Sequence, residues 1–136
     1  MSAGYSGAPL VKKLGIKAGF RAAIINPPED YEETLGPLPP GVTRLRHLEA
    51  GLDFIQFFTS QQAELEAHFD ELKGALAQNG MLWISWPKKS SPIPSDLNEN
   101  IIREIGLWHG MVDVKVCAVD ENWSGLKFVY RLRDRR

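Results

Sequence analysis

Four consecutive polar residues, Lys88-Lys89-Ser90-Ser91, follow the apolar run Met81-Leu82-Trp83-Ile84-Ser85 and the breaker Trp86-Pro87. That order sets two cations and two hydroxyls just past the end of an expected buried strand. A phosphate or carboxylate would find charge there from the ammonium groups and directional donors from the hydroxyls and loop amides. Thr59 and Ser60, ahead of an expected helix, add donors of the same kind. The plainer reading is a solvated loop whose lysines keep an edge soluble and whose serines bond their own backbone. No Walker lysine motif marks the segment as a phosphate loop. Trp123 falls in the turn Asn122-Trp123-Ser124-Gly125, where a large indole either packs over the sheet end or offers a contact surface. Lys88, Lys89, Ser90, Ser91 and Trp123 are therefore the expected ligand-binding residues.

Nucleophilic and acid-base chemistry is harder to assemble. Asp113, Lys115 and Cys117 occupy alternate positions of a β-branched run, so strand periodicity would put carboxylate, ammonium and thiol on one face. A reactive cysteine needs a depressed thiol pKa, and no histidine is placed near Cys117 by sequence. An inert, half-buried thiol beside a surface ion pair is the simpler expectation. His47, His68 and His109 fall on three different elements without metal-ligand spacing, so no metal is expected. The acidic pairs Glu29-Asp30 and Glu32-Glu33 suit the first turn of a helix. A catalytic pair would need a pocket that separates their pKa values. Asp120 or Glu121 remains as a candidate base for group transfer.

The elements that must position these groups alternate between strand and helix. After a leader at residues 1–8, expected to be flexible, Pro9 to Leu14 reads as one or two helical turns leaving through Gly15. Phe20 to Ile25 reads as a short strand broken by Asn26-Pro27-Pro28, followed by a short helix ending near Leu35-Gly36. Pro37-Leu38-Pro39-Pro40-Gly41 cannot be regular structure, because its prolines remove backbone donors and bias their predecessors toward extended conformations. Thr43 to Leu48 suggests an edge strand. The nearly continuous apolar run Leu52 to Phe58 predicts a strand covered on both faces. Thr59 with Gln62 fits a capping box for a helix whose stripe is Leu65, Phe69, Leu72 and Leu76, closed at Asn79-Gly80. A second amphipathic helix, capped near Asp96, would bury Leu97, Ile101, Ile105 and Trp108 and stop at Gly110. Val112 to Val119 and Leu126 to Leu132 then read as an antiparallel hairpin. The expected fold is a single α/β domain, a Rossmann-like three-layer sandwich with a mostly parallel sheet and a C-terminal antiparallel hairpin. In such a sheet, ligands bind beyond the carboxyl ends of the strands.

This order of elements, ending with a strand that runs into Trp86-Pro87, a helix with a glycine exit and a hairpin, resembles the second half of a class I S-adenosylmethionine-dependent methyltransferase. Three motifs, Tyr5-Ser6-Gly7-Ala8-Pro9-Leu10, Trp86-Pro87-Lys88-Lys89-Ser90 and Trp123-Ser124-Gly125-Leu126, resemble those of a family of short bacterial proteins with a domain of unknown function. That second likeness implies no activity. The methyltransferase likeness implies a cofactor held by a glycine-rich turn after the first strand and an acidic residue after the second. This chain has Asn26-Pro27-Pro28-Glu29 at the turn, where two prolines fix φ near −65° and remove two amide donors. Glu49 is the nearest acid to the second strand. The expectation is that no cofactor binds in the familiar mode.

Composition narrows the function classes further. Sixteen Lys and Arg against 17 Asp and Glu leave no global field to draw the chain onto nucleic acid or an anionic membrane. One cysteine excludes an intramolecular disulfide framework, and the N-terminus has no basic start or apolar h-region, so a cytoplasmic location is expected. The sequence thus suggests an uncharacterised binding domain whose partner is a small anionic ligand or a protein segment at the carboxyl edge. The alternative is a small group-transfer enzyme related to S-adenosylmethionine-dependent methyltransferases.

Overall fold

The computed structural model describes residues 9–135, so the expected leader lies outside the described residues. Chain order gives α1 (Leu10–Leu14), β1 (Arg21–Ile25), α2 (Tyr31–Leu35), β2 (Thr43–Leu45), β3 (Leu52–Phe58) and α3 (Gln62–Ala75). It continues with β4 (Leu76–Pro87), α4 (Glu99–Trp108), β5 (Met111–Ala118), β6 (Trp123–Tyr130) and a short 3-10 turn, Leu132–Asp134. The strands form one six-stranded sheet in the order β2-β1-β3-β4-β6-β5. Strands β2, β1, β3 and β4 run parallel, while β6 is antiparallel to both β4 and β5. The expected α/β sandwich with its terminal hairpin is the observed architecture.

Each sheet face has its own core. On one side Leu65, Phe69 and Leu72 of α3 and Ile102 and Ile105 of α4 pack on Ile55, Leu82, Ile84, Leu126 and Phe128. On the other, Leu10 and Leu14 of α1 and Tyr31 and Leu35 of α2 pack on Ile24, Phe54, Phe58 and Trp83. This two-sided covering is why β3 reads as a nearly continuous apolar run: its alternate residues serve different cores, and both are withdrawn from water.

Tertiary pairing moved several boundaries. Helix α3 stops at Ala75, because Leu76 pairs with Leu52 and is buried as the first residue of β4. Asn79-Gly80 is therefore no helix cap. It lies where the β3–β4 register jumps from Leu52–Leu76 to Phe54–Met81, and a Cβ on Gly80 would stand 2.8 Å from the Leu52 carbonyl oxygen. Glycine is required there by a close backbone approach. The Thr59–Gln62 capping box also gives way. Thr59 Oγ1 accepts from the Gln61 amide at 3.2 Å and bonds Glu64, while the Gln62 amide donates to Asp96 Oδ1 at 2.7 Å. Asp96 thus serves α3, and Asn98 caps α4 by accepting from the Ile101 amide at 2.9 Å. In α4, Ile102, Ile105 and Gly106 are buried toward the sheet, whereas Trp108 is 87% exposed.

Candidate functional site

Four loops gather beyond the carboxyl ends of the parallel strands. They are residues 26–30 after β1, 59–61 after β3, 88–91 after β4 and the turn 119–122 between β5 and β6. Two backbone bonds tie them: the Thr59 amide donates to the Ser85 carbonyl at 3.0 Å, and the Lys88 amide donates to the Asn122 carbonyl at 2.8 Å. Pro87 pairs with Trp123 across the β4–β6 ladder, so the motif segments around Trp86 and Trp123, far apart in sequence, meet at this edge.

Lys88 and Ser91 are half-buried there, and Lys89 and Ser90 are exposed. Ser91 closes a local turn: its amide donates to the Lys88 carbonyl at 2.9 Å and its Oγ accepts from the Ile93 amide at 3.1 Å. Trp123 takes the packing role of the two weighed for it, being 9% exposed with its ring edge-on to Phe58 at 5.2 Å. Asp120 Oδ1 accepts from the Asn122 and Trp123 amides at 2.8 and 2.9 Å, an Asx turn that holds the hairpin tip and occupies that oxygen of the proposed base.

A concavity adjoins this edge. A cleft of about 800 Å³ lies between α1, α2, the proline-rich connector and the hairpin tip, lined by residues 9–12, 33–39 and 120–122. Its apolar wall comes from Leu10, Val11, Leu35, Leu38 and prolines, and its charged groups are three carboxylates, Glu33, Asp120 and Glu121, against one ammonium, Lys12. Lys88 and Lys89 are not among its lining residues.

Beneath the edge runs a buried polar chain that the sequence reading missed. The Tyr31 hydroxyl donates to Gln56 Oε1 at 2.6 Å, and Gln56 Nε2 donates to Ser85 Oγ at 3.1 Å, with Gln56 and Ser85 fully buried. The chain links α2, β3 and β4. Burial pushes the Tyr31 phenol well above its ordinary range, against a smaller downward effect of the Gln56 bond. The signal was present in the sequence: a glutamine inside Leu52–Phe58 and a serine inside Met81–Trp86 interrupt otherwise apolar runs, and such residues need partners when buried.

The remaining candidates separate. A register shift between Asp113 and Lys115 breaks the expected alternation along β5. Asp113 consequently bonds Arg103 of α4 at 2.9 Å, whereas Lys115 reaches the Lys13 carbonyl of α1 at 3.0 Å on the opposite face. Burial raises the Cys117 thiol pKa, opposed by Lys13 and Lys115, so the thiol is not activated. His47 pairs with Glu49, His68 with Glu71 and His109 with Asp70. No group of three or more His, Cys, Asp or Glu with metal-binding proximity occurs among the described residues. No helix among them is long and apolar enough to cross a membrane.

No family model matches this chain, and no curated protein matches it. Solved structures do. The chain is similar to an S-adenosylmethionine-dependent methyltransferase from Aquifex aeolicus, with 15% identity over 88% of this chain and 86% of that one and a TM-score of 0.61. It is similar to DhpI in complex with S-adenosylhomocysteine (10% identity, 92% and 83% covered, TM-score 0.64). A third match is magnesium protoporphyrin IX methyltransferase from Synechocystis with bound S-adenosylhomocysteine (13% identity, 90% and 78% covered, TM-score 0.57). The class defined is the Rossmann-like methyltransferase fold, and identities this low establish the fold alone.

The residues present do not fit the glycine-turn mode of holding that cofactor. The bend after β1 does enter the left-handed region, but at Asn26 (φ 56°) and Asp30 (φ 64°), residue types that tolerate it, with the two prolines between them. Pro27 and Pro28 have no amide to offer, and the Tyr31 amide is turned back to the Pro28 carbonyl at 3.2 Å. Glu49 sits at the wrong end of the sheet. It bonds Arg21, the first residue of β1, at 2.6 Å, and the same guanidinium donates to the Ala50 carbonyl at 2.9 Å. Its hydrogen bond to His47, helped by Arg21, holds its pKa below the usual carboxylate range.

Proposed function

We propose that this protein is a small-ligand binder built on the methyltransferase-like fold, taking a partly apolar ligand of net positive charge into the cleft between α1, α2 and the β5–β6 turn. The observation that carries this reading is the cleft lining, where an apolar wall meets three carboxylates and one ammonium. That balance departs from the anionic ligand expected from Lys88 and Lys89, because charge complementarity at this cleft has the opposite sign. The kinship with short bacterial proteins sharing the Tyr5, Trp86 and Trp123 motifs belongs to the same proposal and brings no activity with it.

A second reading, a group-transfer enzyme related to S-adenosylmethionine-dependent methyltransferases, is favoured by the solved neighbours, several of which hold that cofactor or its product. Their fold supports this alternative better than it supports a pure binding module. The cofactor's sulfonium and ammonium outweigh its carboxylate, whereas the product lacks the sulfonium, so the pair makes a direct probe of the cleft. Titration calorimetry should show S-adenosylmethionine binding more tightly than S-adenosylhomocysteine. The double substitution Glu33→Gln with Glu121→Gln should weaken it roughly threefold to tenfold, the scale of two exposed ion pairs. Equal affinity for both, unaffected by the substitutions, would favour the enzyme reading, and transfer of a labelled methyl group would establish it. No binding of S-adenosylmethionine, spermidine or choline at millimolar concentration would overturn the cleft as a ligand site.

A further inference from the structure

Three of the five large hydrophobic side chains exposed among the described residues, Leu107, Trp108 and Leu132, gather at one end of the molecule. The Arg131 guanidinium donates to the Leu107 carbonyl at 3.3 Å, which sets the 3-10 turn Leu132–Asp134 against the C-terminal end of α4. The same end is braced from within. The Tyr130 hydroxyl donates to the Lys73 carbonyl at 2.5 Å, and Lys73 Nζ donates to the His109 carbonyl at 2.7 Å, so the ends of β6, α3 and α4 are joined. Trp108, on the last turn of α4, contributes little to the chain's own core, yet it stands on this fixed frame. Exposed apolar side chains grouped in this way mark a contact surface.

Opposite charges flank the apolar group. On one side a groove of about 440 Å³ runs between α3 and α4, with Ile101, Ile105 and Trp108 as its apolar lining and the exposed carboxylates Glu66 and Glu104 beside them. On the other side Arg131, Arg133 and Arg135 outnumber Asp134. Arg131 and Arg135 each use one donor on a backbone carbonyl, of Leu107 and of Tyr130, and this holds the segment in place. A guanidinium has five donors, so a carboxylate can still be met. The ion pairs among the described residues include neither Glu66 nor Glu104, and none of these three arginines. Lengths agree as well: helical rise from Ile101 to Trp108 is about 10 Å, and the span from Arg131 to Arg135 is about 8 Å at the 3-10 rise.

We propose that this end docks a second copy of the chain through a two-fold contact, each α3–α4 groove receiving segment 131–135 of the partner with Leu107, Trp108 and Leu132 between them. A contact of this symmetry requires a self-complementary surface. Here acid and base lie side by side around an apolar middle, so one rotation sets Glu66 and Glu104 over the arginines on both sides at once. Residues 131–135 do not line the groove of their own chain, which leaves it open to those of another. Tryptophan and arginine are the residue types that dominate protein interfaces. One indole supplies about 150–250 Å² of the roughly 800 Å² that each partner buries in a standard interface. The surface is on the α3–α4 side of the sheet, away from the cleft between α1 and α2.

The test is sedimentation equilibrium from micromolar to millimolar concentration, which should show a monomer–dimer equilibrium that weakens as salt is raised. Trp108→Ala should weaken the dimer at least tenfold, with the melting temperature of the dilute monomer unchanged, because the side chain is exposed. Glu104→Arg and Arg133→Glu, also at exposed positions, should each weaken it at least tenfold by setting like charges together. An equimolar mixture of these two variants should associate about as tightly as the unaltered protein, since every contact of the mixed dimer again joins opposite charges. A monomer throughout that range, association untouched by Trp108→Ala, or a mixture no tighter than its components would each overturn the proposal. So would a monomer that binds an arginine-rich peptide and loses it on Glu104→Arg, which would give the groove to a foreign partner.

Discussion

Replacing Tyr31 by phenylalanine removes one oxygen and leaves the ring in place, which makes it a clean probe of the buried chain beneath the carboxyl edge. The hydroxyl donates to Gln56 Oε1 at 2.6 Å, and Gln56 is fully buried on β3. Without the donor, the carbonyl oxygen of Gln56 loses that partner in a site closed by Phe58, whose ring meets Tyr31 edge-on at 4.8 Å. Stranding a buried polar atom costs about 1–3 kcal/mol, well above the net value of a hydrogen bond formed in competition with water. With a urea slope of about 2 kcal/mol per M, the unfolding midpoint should fall by roughly 0.5–1.5 M at unchanged slope. Gln56→Leu should cost a similar amount, because it strands the Tyr31 hydroxyl and removes the donor to Ser85. The double variant should then be more stable than the sum of the two losses implies, by about 1–2 kcal/mol, since each change removes the other's stranded partner. Additivity within about 0.5 kcal/mol, measured by urea unfolding of all four proteins, would refute the coupled chain.

Gly106→Ala should destabilise although alanine is the better helix former. The added Cβ would fall 2.0 Å from Cε1 of the fully buried Phe128 ring, and overpacking of about 1–3 kcal/mol exceeds the roughly 1 kcal/mol gained in propensity; a melting temperature above that of the unaltered protein would contradict this. Tyr31 and Tyr130 both have phenol pKa values raised by burial, so keeping them neutral contributes stability that is intact below their ordinary value of about 10. That contribution is lost as pH rises through their folded values, and in absorbance titration these phenols should ionise later than in the urea-unfolded chain. Cys117 should react with a disulfide reagent at neutral pH at least tenfold more slowly in the folded than in the unfolded protein, because burial raises its thiol pKa. Fast labelling of the folded chain would restore it as a nucleophile.

The sequence by itself determined the layering. Apolar runs such as Leu52–Phe58 and the stripe Leu65, Phe69, Leu72 carry their burial pattern in their own spacing, so element type and fold class were legible without coordinates. The proline pair at the first turn was equally legible, since a missing amide donor is a property of the residue and no neighbour can supply it. Tertiary structure decided phase, charge environment and pairing. Trp108 turned outward because α4 packs on the sheet through Ile102, Ile105 and Gly106, the last closely against the Phe128 ring, and Asp113 parted from Lys115 because one bulged residue reverses every side chain beyond it. The carboxylates of the cleft come from α2 and from the hairpin tip, some ninety positions apart. Local periodicity says which way a residue faces, but whether an opposite charge, a like charge or a wall stands across from it depends on chain segments brought together from a distance.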